Sequence, residues 1–424
     1  MTVIPTPSGL LRFNEEYFGY LVGYPSGDIV LVQPSARSVL EGGGDLEALK
    51  PHLLPTLDVR TNFYLNTPPL VWLELTRRCN LTCSHCYIDG GRARDGELSI
   101  DHLASIIDDL ADMGVWAVAI TGGEPTLHSG FVELVRHARR RDLLVGIATH
   151  GLHLSEALLK ELPTDGVIIS VSIDDLHVAS RKPDSEFRAA ARALLLSREM
   201  GFEVNVMTNT HRKNIDKLED LIRWAQEHDV SVRSVPFSPL GRGKHHRREL
   251  ENRIEDVDKA ARFWLEECQW EHAYHQRVGL CVGSIFNYGL SLAYMTRRCS
   301  SGRYLAYICS DGTVYPCTMC AGEQILSPGK VGERTFSDIW RSNWEIREFS
   351  WDNFRATCAG CVLDNENFYC ASRCPAMSHA RHGKFFSCGA SDFEIASTVV
   401  RTAMLNATEL ATSTGNPLVP SKGD

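Results

Sequence analysis

Residues 70–236 alternate short apolar segments with longer amphipathic ones, and this alternation constrains the fold more than any other feature of the chain. Apolar, β-branched segments such as WAVAIT and GVIISVS are predicted to be buried strands. The segments between them, such as IDHLASIIDDLADM, show the apolar spacing of helices. About six such units predict an α/β fold with a parallel sheet, in the form of a partial (β/α)6 TIM-like barrel whose ligand loops gather at the strand ends.

The rest of the chain predicts further domains around this barrel. A chain of 424 residues exceeds the usual size of a single core. The N-terminal block is small and β-rich, with two strands around a Pro-Ser-Gly-Asp turn and a short helix after Pro34. The polar C-terminal tail has no periodicity and is expected to be disordered. The expected regions are the block at 1–66, the barrel at 67–248, a helical linker at 249–298, a cysteine-rich domain at 299–400 and the tail at 401–424.

Charge and hydropathy argue against two classes of partner. The formal net charge of -9 gives no support to nucleic-acid binding, which favours a basic surface. No run approaches the roughly 18 apolar residues that cross a bilayer, so no membrane segment is expected. The first residues, MTVIPTPSGLLRF, lack the basic and apolar regions of a secretory signal. These features predict a cytoplasmic protein.

The 14 cysteines then require a metal explanation, because structural disulfides are disfavoured in a reducing compartment. Three of them, Cys79, Cys83 and Cys86, follow the first barrel strand in the segment CNLTCSHCY. Each iron of a [4Fe–4S] cube takes one thiolate, so three cysteines leave one iron open, as in a catalytic metal site. The alternative is a zinc knuckle that includes His85, but adjacent His85 and Cys86 are hard to direct at one ion.

This C-x3-C-x2-C loop, followed by the aromatic Tyr87 at the end of the first strand, resembles the radical S-adenosylmethionine (SAM) superfamily. The resemblance implies that Cys79, Cys83 and Cys86 hold a cluster whose open iron chelates the amino and carboxylate groups of SAM. An electron from the cluster then cleaves SAM to a 5′-deoxyadenosyl radical, which abstracts a substrate hydrogen. A small electron donor such as flavodoxin or ferredoxin is implied as a partner.

A second motif ends the second barrel strand, in the segment Gly122-Gly123-Glu124-Pro125. It resembles the GGEP motif of the same superfamily, whose backbone and Glu hold the methionine amino group of SAM. Glycines allow the chain to approach a ligand closely, and Glu124 offers an acceptor for an ammonium group.

Later strands offer further candidates on the same resemblance. Ser172 ends the fourth strand and, with Arg181, is implied as a partner of the SAM carboxylate or ribose. The strands around Asn209 and Val235-Pro236 are expected to surround the adenine. At the third strand, Thr149-His150-Gly151 departs from the more usual Thr-Asn-Gly, and a surface turn is the simpler interpretation of His150.

The late cysteines are similar to the SPASM extension of radical SAM enzymes, which binds two auxiliary [4Fe–4S] clusters. The resemblance therefore implies three [4Fe–4S] clusters in all. The spacing between Cys361 and Cys370 is longer here than in the usual form of the extension. The alternative interpretation of the late cysteines is a pair of zinc ribbons, because C-x2-C is also a zinc spacing. The nearer auxiliary cluster would take Cys299, Cys309, Cys317 and Cys374, and the farther one Cys358, Cys361, Cys370 and Cys388. Cys268 and Cys281 are expected to be structural thiols, and Cys320 is either a substitute for Cys309, a proton donor or without a role.

Three functions remain open from the sequence. The first is oxidative modification of a ribosomally made precursor peptide, as in many SPASM proteins, with block 1–66 as a winged-helix-like element that captures a leader by strand addition. The second is a sulfatase-maturase or alcohol-dehydrogenase activity. In such enzymes an Asp that acts as a base commonly follows the cysteine at the position of Cys317, and the presence of Thr318 there argues against this function. The third is a non-enzymatic metal-binding protein. The presence of Glu124 in its motif argues against this function, because such a protein has no need of a SAM ligand. The basic segment from Gly241 to His246 is similar to one in tetrapyrrole- and peptide-modifying members, although a solvated loop is the simpler expectation.

Overall fold

The computed structural model describes residues 1–6, 9–23, 29–54, 63–174, 184–278, 299–349, 361, 374–388, 395–396 and 399–400. Three predicted site residues, Arg181, Cys358 and Cys370, lie outside the described residues, as does the tail predicted at 401–424.

The barrel predicted from the alternating pattern is present. Its six strands pair in parallel and in chain order, so each βα unit lies beside the next. The strands are Leu70–Glu74 (β5), Ala117–Thr121 (β6), Leu144–Thr149 (β7), Val167–Ser172 (β8), Glu203–Thr210 (β9) and Ser231–Pro236 (β10). The helices between them are Ile100–Met113 (α3), Phe131–Arg140 (α4), Glu156–Lys160 (α5), Asp184–Glu199 (α6) and Leu218–Glu227 (α7).

Helix α3 illustrates how the sequence specifies these units. The Ser99 side chain accepts a hydrogen bond from the His102 amide and caps the helix, and Gly114 ends it with a φ of 91°. Four apolar residues at helical spacing, Leu103, Ile106, Ile107 and Leu110, are buried against the sheet. Burial of each of these side chains contributes about 1.5–3 kcal/mol.

The C-terminal region extends the barrel sheet, a pairing that the sequence pattern did not predict. Strand Leu305–Ile308 (β11) runs parallel to β5 on the side away from β6, and Thr313–Tyr315 (β12) and Gly329–Lys330 (β13) continue the sheet in antiparallel fashion. Among the described residues, the longer α-helical segments that follow the barrel are Arg247–Leu250 (α8), Val257–Val278 (α9), Phe336–Arg341 (α10) and Pro375–His382 (α11). The Trp340 indole of α10 is fully buried and donates to the Leu65 carbonyl at 2.8 Å.

The N-terminal block is a four-stranded antiparallel sheet, which confirms its β-rich character. Its strands are Thr2–Thr6 (β1), Gly9–Glu16 (β2), Gly19–Gly23 (β3) and Ile29–Val32 (β4), followed by the short helices Arg37–Glu41 (α1) and Leu46–Leu49 (α2). The block lies at the amino ends of the barrel strands, because Trp116, directly before β6, is fully buried against Leu21 and Leu31 and donates to Asn14 Oδ1 at 3.2 Å. In the described part of the chain, no helix combines the length and apolar character needed to cross a bilayer.

Candidate active site at the carboxyl ends of the barrel strands

The three-cysteine loop leaves β5 and closes back on itself. The Cys79 amide donates to the Gly91 carbonyl at 2.8 Å, and the Gly91 amide donates to the Arg77 carbonyl at 2.9 Å. Within the loop, the amides of Leu81 and Gly90 donate to the sulfur atoms of Cys79 and Cys86 at 3.4 Å and 3.3 Å. At Cys79 the Leu81 amide opposes the burial that, as the larger effect, raises the pKa of the thiol.

The arrangement of the cysteines does not suit a single metal ion. In the described residues, the sole group of three or more ligand side chains close enough to share one ion is His85, Asp174 and His211. Instead of joining the cysteines, His85 Nε2 lies 3.6 Å from Asp174 Oδ2. The three early cysteines therefore fit a larger group better than they fit a zinc ion, whose four ligands would lie about 2.0–2.3 Å from the metal.

The base of the loop is fixed by a buried ion pair. Glu74, the last residue of β5, is fully buried and accepts hydrogen bonds from Arg77 Nε at 2.9 Å and 3.0 Å. The same carboxylate accepts bonds from the Tyr307 hydroxyl and from the amide and hydroxyl of Ser310. Arg77 in turn donates to the Ile88 carbonyl. Glu74 thus connects the cysteine loop to β11 of the C-terminal region.

The two glycines of the second motif are required by the chain itself. A Cβ atom on Gly122, whose φ is 149°, would lie 2.4 Å from the Thr76 carbonyl oxygen, and one on Gly123 would lie 2.3 Å from that of Arg78. The Gly123 and Glu124 amides donate to these same two carbonyls at 2.8 Å and 2.7 Å. The expected close approach is therefore made, in this structure, to the segment that leads into Cys79.

The Glu124 carboxylate is fully buried and already has several hydrogen-bond donors. Its Oε1 accepts from the Thr126 hydroxyl at 2.6 Å and the Thr149 hydroxyl at 2.7 Å, and its Oε2 accepts from the His150 amide at 2.9 Å. Pro125 begins the short 3₁₀ turn that follows. The carboxylate therefore joins the ends of β6 and β7, and the predicted contact with an ammonium group stays a prediction.

The expectation that His150 lies in a surface turn is wrong. Only 3% of its surface is exposed. Its Nδ1 accepts from the Leu152 amide at 3.0 Å, so Nε2 carries the proton and donates to Asn80 Oδ1 at 2.8 Å. His150 thus connects β7 to the cysteine loop, which an asparagine side chain at this position would be too short to do.

Polar groups face the barrel interior near the same end. Tyr87 is half-buried beside Thr121, with which its hydroxyl forms a hydrogen bond, and burial raises the pKa of this phenol. Ser172 ends β8, half-buried, on the same face as Ser170. Ser170 Oγ and both amide atoms of the neighbouring Asn205 are buried and have no hydrogen-bond partner within the described residues.

The ends of β8 and β9 are joined to the cysteine loop through Asp174. Its Oδ1 accepts from the Asn209 amide at 2.9 Å, and its carboxylate faces His85. The His85 and His211 rings lie 5.7 Å apart, centroid to centroid. Asn209 Oδ1 is buried and, among the described residues, has no hydrogen-bond partner.

Arg242 is a site residue that sequence reasoning missed. Its amide donates to the Cys86 carbonyl at 2.9 Å, and its guanidinium donates to the carbonyls of Cys83 at 3.1 Å and Gly90 at 2.6 Å. A Cβ on Gly241, with φ of 50°, would lie 2.4 Å from the Tyr87 carbonyl oxygen. The expectation of a solvated loop was therefore wrong for this part of the segment. The one indication of its role in the sequence was the similarity of the segment from Gly241 to His246 to one in tetrapyrrole- and peptide-modifying members.

The late cysteines separate into different places. Cys317 and Cys320 lie in one turn, with sulfur atoms 3.5 Å apart, and Cys299 and Cys374 lie near them. Cys309 is fully buried beside Glu74. Of the second predicted set, Cys361 is half-buried and Cys388 exposed.

Two family profiles match the chain. Residues 73–225 match the Radical SAM superfamily, and residues 299–362 match SPASM, an iron–sulfur cluster-binding domain. Mycofactocin maturase MftC from Mycolicibacterium smegmatis is 30% identical over 308 residues, which cover 70% of this chain and 76% of that protein. The chain belongs to the radical SAM superfamily.

Other comparisons agree with this membership. An AdoMet-dependent heme synthase from Nitratidesulfovibrio vulgaris is 26% identical to this radical SAM chain, covering 74% of the chain and 89% of that protein. Among solved structures, SuiB from Streptococcus suis, bound to precursor peptide SuiA, matches with a TM-score of 0.61 at 14% identity, covering 82% of this chain and 91% of SuiB. At that identity the likeness shows the fold alone, which is the α/β radical SAM fold.

The radical SAM and SPASM domains bind [4Fe–4S] clusters and SAM, and the site suits both groups. Two cysteine sulfurs receive backbone N–H donors, an arrangement that suits the sulfurs of an anionic cluster. The buried atoms of Ser170, Asn205 and Asn209 offer polar contacts to a nucleoside inside the barrel. The arrangement therefore can hold a cluster at the mouth of the barrel with a polar cofactor beside it.

Proposed function

We propose that this radical SAM enzyme oxidatively modifies a ribosomally made precursor peptide, through a thioether or carbon–carbon cross-link or a related side-chain change. The observation that carries this proposal is the similarity to a mycofactocin maturase over three quarters of that protein's length. The fold shared with SuiB, a protein seen with its precursor peptide, supports it.

The site residues have separate roles in this proposal. Cys79, Cys83 and Cys86 hold the cluster that, with SAM bound, supplies a radical able to abstract a hydrogen atom from the substrate. Glu124 and His150 hold the loops around that cluster in register through their hydrogen bonds to each other and to Asn80. The residues proposed to bind SAM are Tyr87, Gly122, Gly123, Glu124, Pro125, Ser172 and Arg181, of which Arg181 lies outside the described residues.

The auxiliary clusters, the electron donor and the compartment complete the proposal. Cys358, Cys361, Cys370 and Cys388 hold the farther auxiliary cluster. A flavodoxin or ferredoxin supplies the electron for the first cluster. The cytoplasm, a reducing compartment, keeps the cluster thiols available.

The N-terminal sheet offers an edge for the leader part of the peptide. The outer side of β4 is covered, because the Leu54 amide donates to the Leu31 carbonyl at 2.8 Å and the Gln33 amide to that of His52 at 2.9 Å. Strand β1, with Thr2 and Pro5 exposed, forms the other edge of the sheet. An extended peptide can add to such an edge through main-chain hydrogen bonds.

The position of this edge sets a minimum length for the peptide. The block lies at the amino ends of the barrel strands and the cysteine loop at their carboxyl ends. A strand such as β8, with 6 residues, spans about 20 Å. A peptide bound at β1 therefore needs roughly six extended residues or more between its leader and the modified residue.

The experiment uses the short precursor peptide encoded beside this gene, and the absence of such a reading frame would itself count against a peptide substrate. The reconstituted enzyme, reduced without oxygen and supplied with SAM, should change the mass of the peptide by loss of hydrogen. The matched control is the enzyme with Cys79→Ala, Cys83→Ala and Cys86→Ala, which should leave the peptide unchanged. No mass change with the wild-type enzyme would contradict a peptide substrate.

A tetrapyrrole is the second candidate substrate, favoured by the similarity to a heme synthase. A haem precursor offered in the same assay separates the two functions. Conversion of the tetrapyrrole, with the peptide left intact, would replace the proposal.

A further inference from the structure

Two cysteines compete for one position in the auxiliary site nearest the barrel. Cys299, Cys317 and Cys374 fit the SPASM spacing, and both Cys309 and Cys320 are near enough in sequence to complete the set. The structure separates these two candidates clearly.

Cys320 lies in the same turn as Cys317. The short 3₁₀ turn Thr318–Cys320 brings the Cys320 amide to the Cys317 carbonyl at 3.1 Å and the two sulfur atoms to 3.5 Å. Cys320 is fully buried. A C-x2-C turn of this kind is a common way to direct two thiolates at one metal centre.

Cys299 and Cys374 also lie near the sulfur atoms of Cys317 and Cys320. Ser301 Oγ lies 3.3 Å from Cys299 Sγ and also forms a hydrogen bond with Cys317. Cys374 precedes the first turn of α11, which packs against the turn that contains Cys320. Cys374 lies near enough to Cys299 and Cys317 for their charges to act on its thiol.

Cys309 lies at the opposite end of the β11–β12 hairpin. Tyr307 pairs with Tyr315, so Cys309 lies two residues beyond this pair in one direction and Cys317 lies two residues beyond it in the other. Four residues of strand correspond to about 13 Å. The Cys309 amide is held by the Thr313 carbonyl at 2.9 Å in the hairpin turn.

Cys309 is also surrounded by residues of the barrel rather than by the other late cysteines. Continuing the register of β11 with β5 places Cys309 beside Glu74, on the face that carries Tyr307. The Cys309 side chain is fully buried and belongs to the main apolar core, so it contributes to packing there.

We propose that Cys320, and not Cys309, is the fourth protein ligand of the auxiliary cluster held by Cys299, Cys317 and Cys374. Four thiols then surround one cluster, and Cys309 is left as a buried thiol of the barrel wall. This assignment concerns the auxiliary site and is independent of whether the substrate is a peptide.

The test compares Cys320→Ala with Cys309→Ala as a matched control, each in the full chain reconstituted without oxygen with iron and sulfide. Cys320→Ala should lose about four irons per chain, or give the EPR signal of a three-iron cluster, because one iron lacks its thiolate. Cys309→Ala should keep the iron content and EPR spectrum of the wild type. Full iron content in Cys320→Ala, or a lost cluster in Cys309→Ala, would overturn the assignment.

Two further variants cover the remaining outcomes. Cys320→Ser keeps a ligand atom at the position, so it should retain iron but change the EPR spectrum and reduction potential of the auxiliary cluster. An unchanged spectrum would show that residue 320 does not ligate, even if Cys320→Ala fails to fold. Cys281, outside the described residues, is the other thiol nearby in sequence, and a cluster lost in Cys281→Ala but kept in Cys320→Ala would also overturn the proposal.

Discussion

His150 Nε2 lies 2.8 Å from Asn80 Oδ1, so an imidazole at the end of β7 holds the middle of the cysteine loop. The His150 amide also donates to Glu124 Oε2 at 2.9 Å, which adds the second motif to the same network. Three segments that are far apart in sequence therefore meet at one buried residue, which holds the cysteine loop with its side chain and the second motif with its backbone amide.

Replacing His150 by alanine should weaken SAM binding while leaving the clusters assembled. Loss of this part-buried hydrogen bond costs about 1–3 kcal/mol, which corresponds to roughly five- to 150-fold in the dissociation constant of SAM. Equilibrium dialysis of SAM against the reconstituted enzyme measures this change, with iron content determined in parallel. The control is His153→Ala, because His153 is exposed. Equal SAM affinity in both variants would refute the positioning role.

Arg242 should slow the loss of iron from the cluster held by Cys79, Cys83 and Cys86. Its guanidinium bonds to the Cys83 and Gly90 carbonyls each contribute about 1.5–3 kcal/mol as charge-assisted hydrogen bonds. Arg242→Lys keeps the charge but lacks the planar fork, so iron removal by a chelator should become about tenfold faster or more. Arg248→Lys, at an exposed residue of α8 shortly after Arg242 in the chain, is the matched control and should lose iron at the wild-type rate. Identical rates in Arg242→Lys and wild type would contradict the prediction.

Glu74→Gln should destabilise the fold strongly. It removes the charge that compensates the buried Arg77, at a cost of about 3–5 kcal/mol in the free energy of unfolding. Urea denaturation followed by circular dichroism measures this change. Glu47→Gln breaks an exposed pair with Lys50 and should change stability by about 1 kcal/mol or less. A similar small effect of both substitutions would argue against the structural role of Glu74.

Glu16 makes the stability of the N-terminal block depend on pH. Burial raises the pKa of this carboxyl from 4.5 to about 8 in the folded chain. As the pH rises through that interval, the unfolded chain releases the proton and the folded chain retains it, so stability falls. Glu16→Gln should therefore raise the melting temperature relative to wild type increasingly between about pH 5 and about pH 8. A constant difference across this interval would mean that Glu16 does not hold its proton.

Much of the barrel could be predicted because its strands are continuous apolar runs. The predicted segment GVIISVS, for example, contains the whole of the observed strand Val167–Ser172. The parallel pairing of β11 with β5 was not predictable, because no local pattern records which distant strand is the neighbour.

The candidate site shows the same limit. The cysteine and glycine motifs were visible because their chemistry depends on spacing along the chain. The roles of Arg242 and His150 depend on contacts with a loop more than 60 residues away, and their side chains alone are typical of solvated turns. The choice between Cys309 and Cys320 depends on hairpin register, which the cysteine spacing does not contain.

The central claim is that three cysteines after β5 hold the cluster at which SAM is cleaved. The most direct measurement is 5′-deoxyadenosine release by the enzyme with Cys79→Ala, Cys83→Ala and Cys86→Ala, reduced in the presence of SAM. We predict that release stops while about eight irons remain in the auxiliary sites. Release at the wild-type rate by this variant would contradict the account.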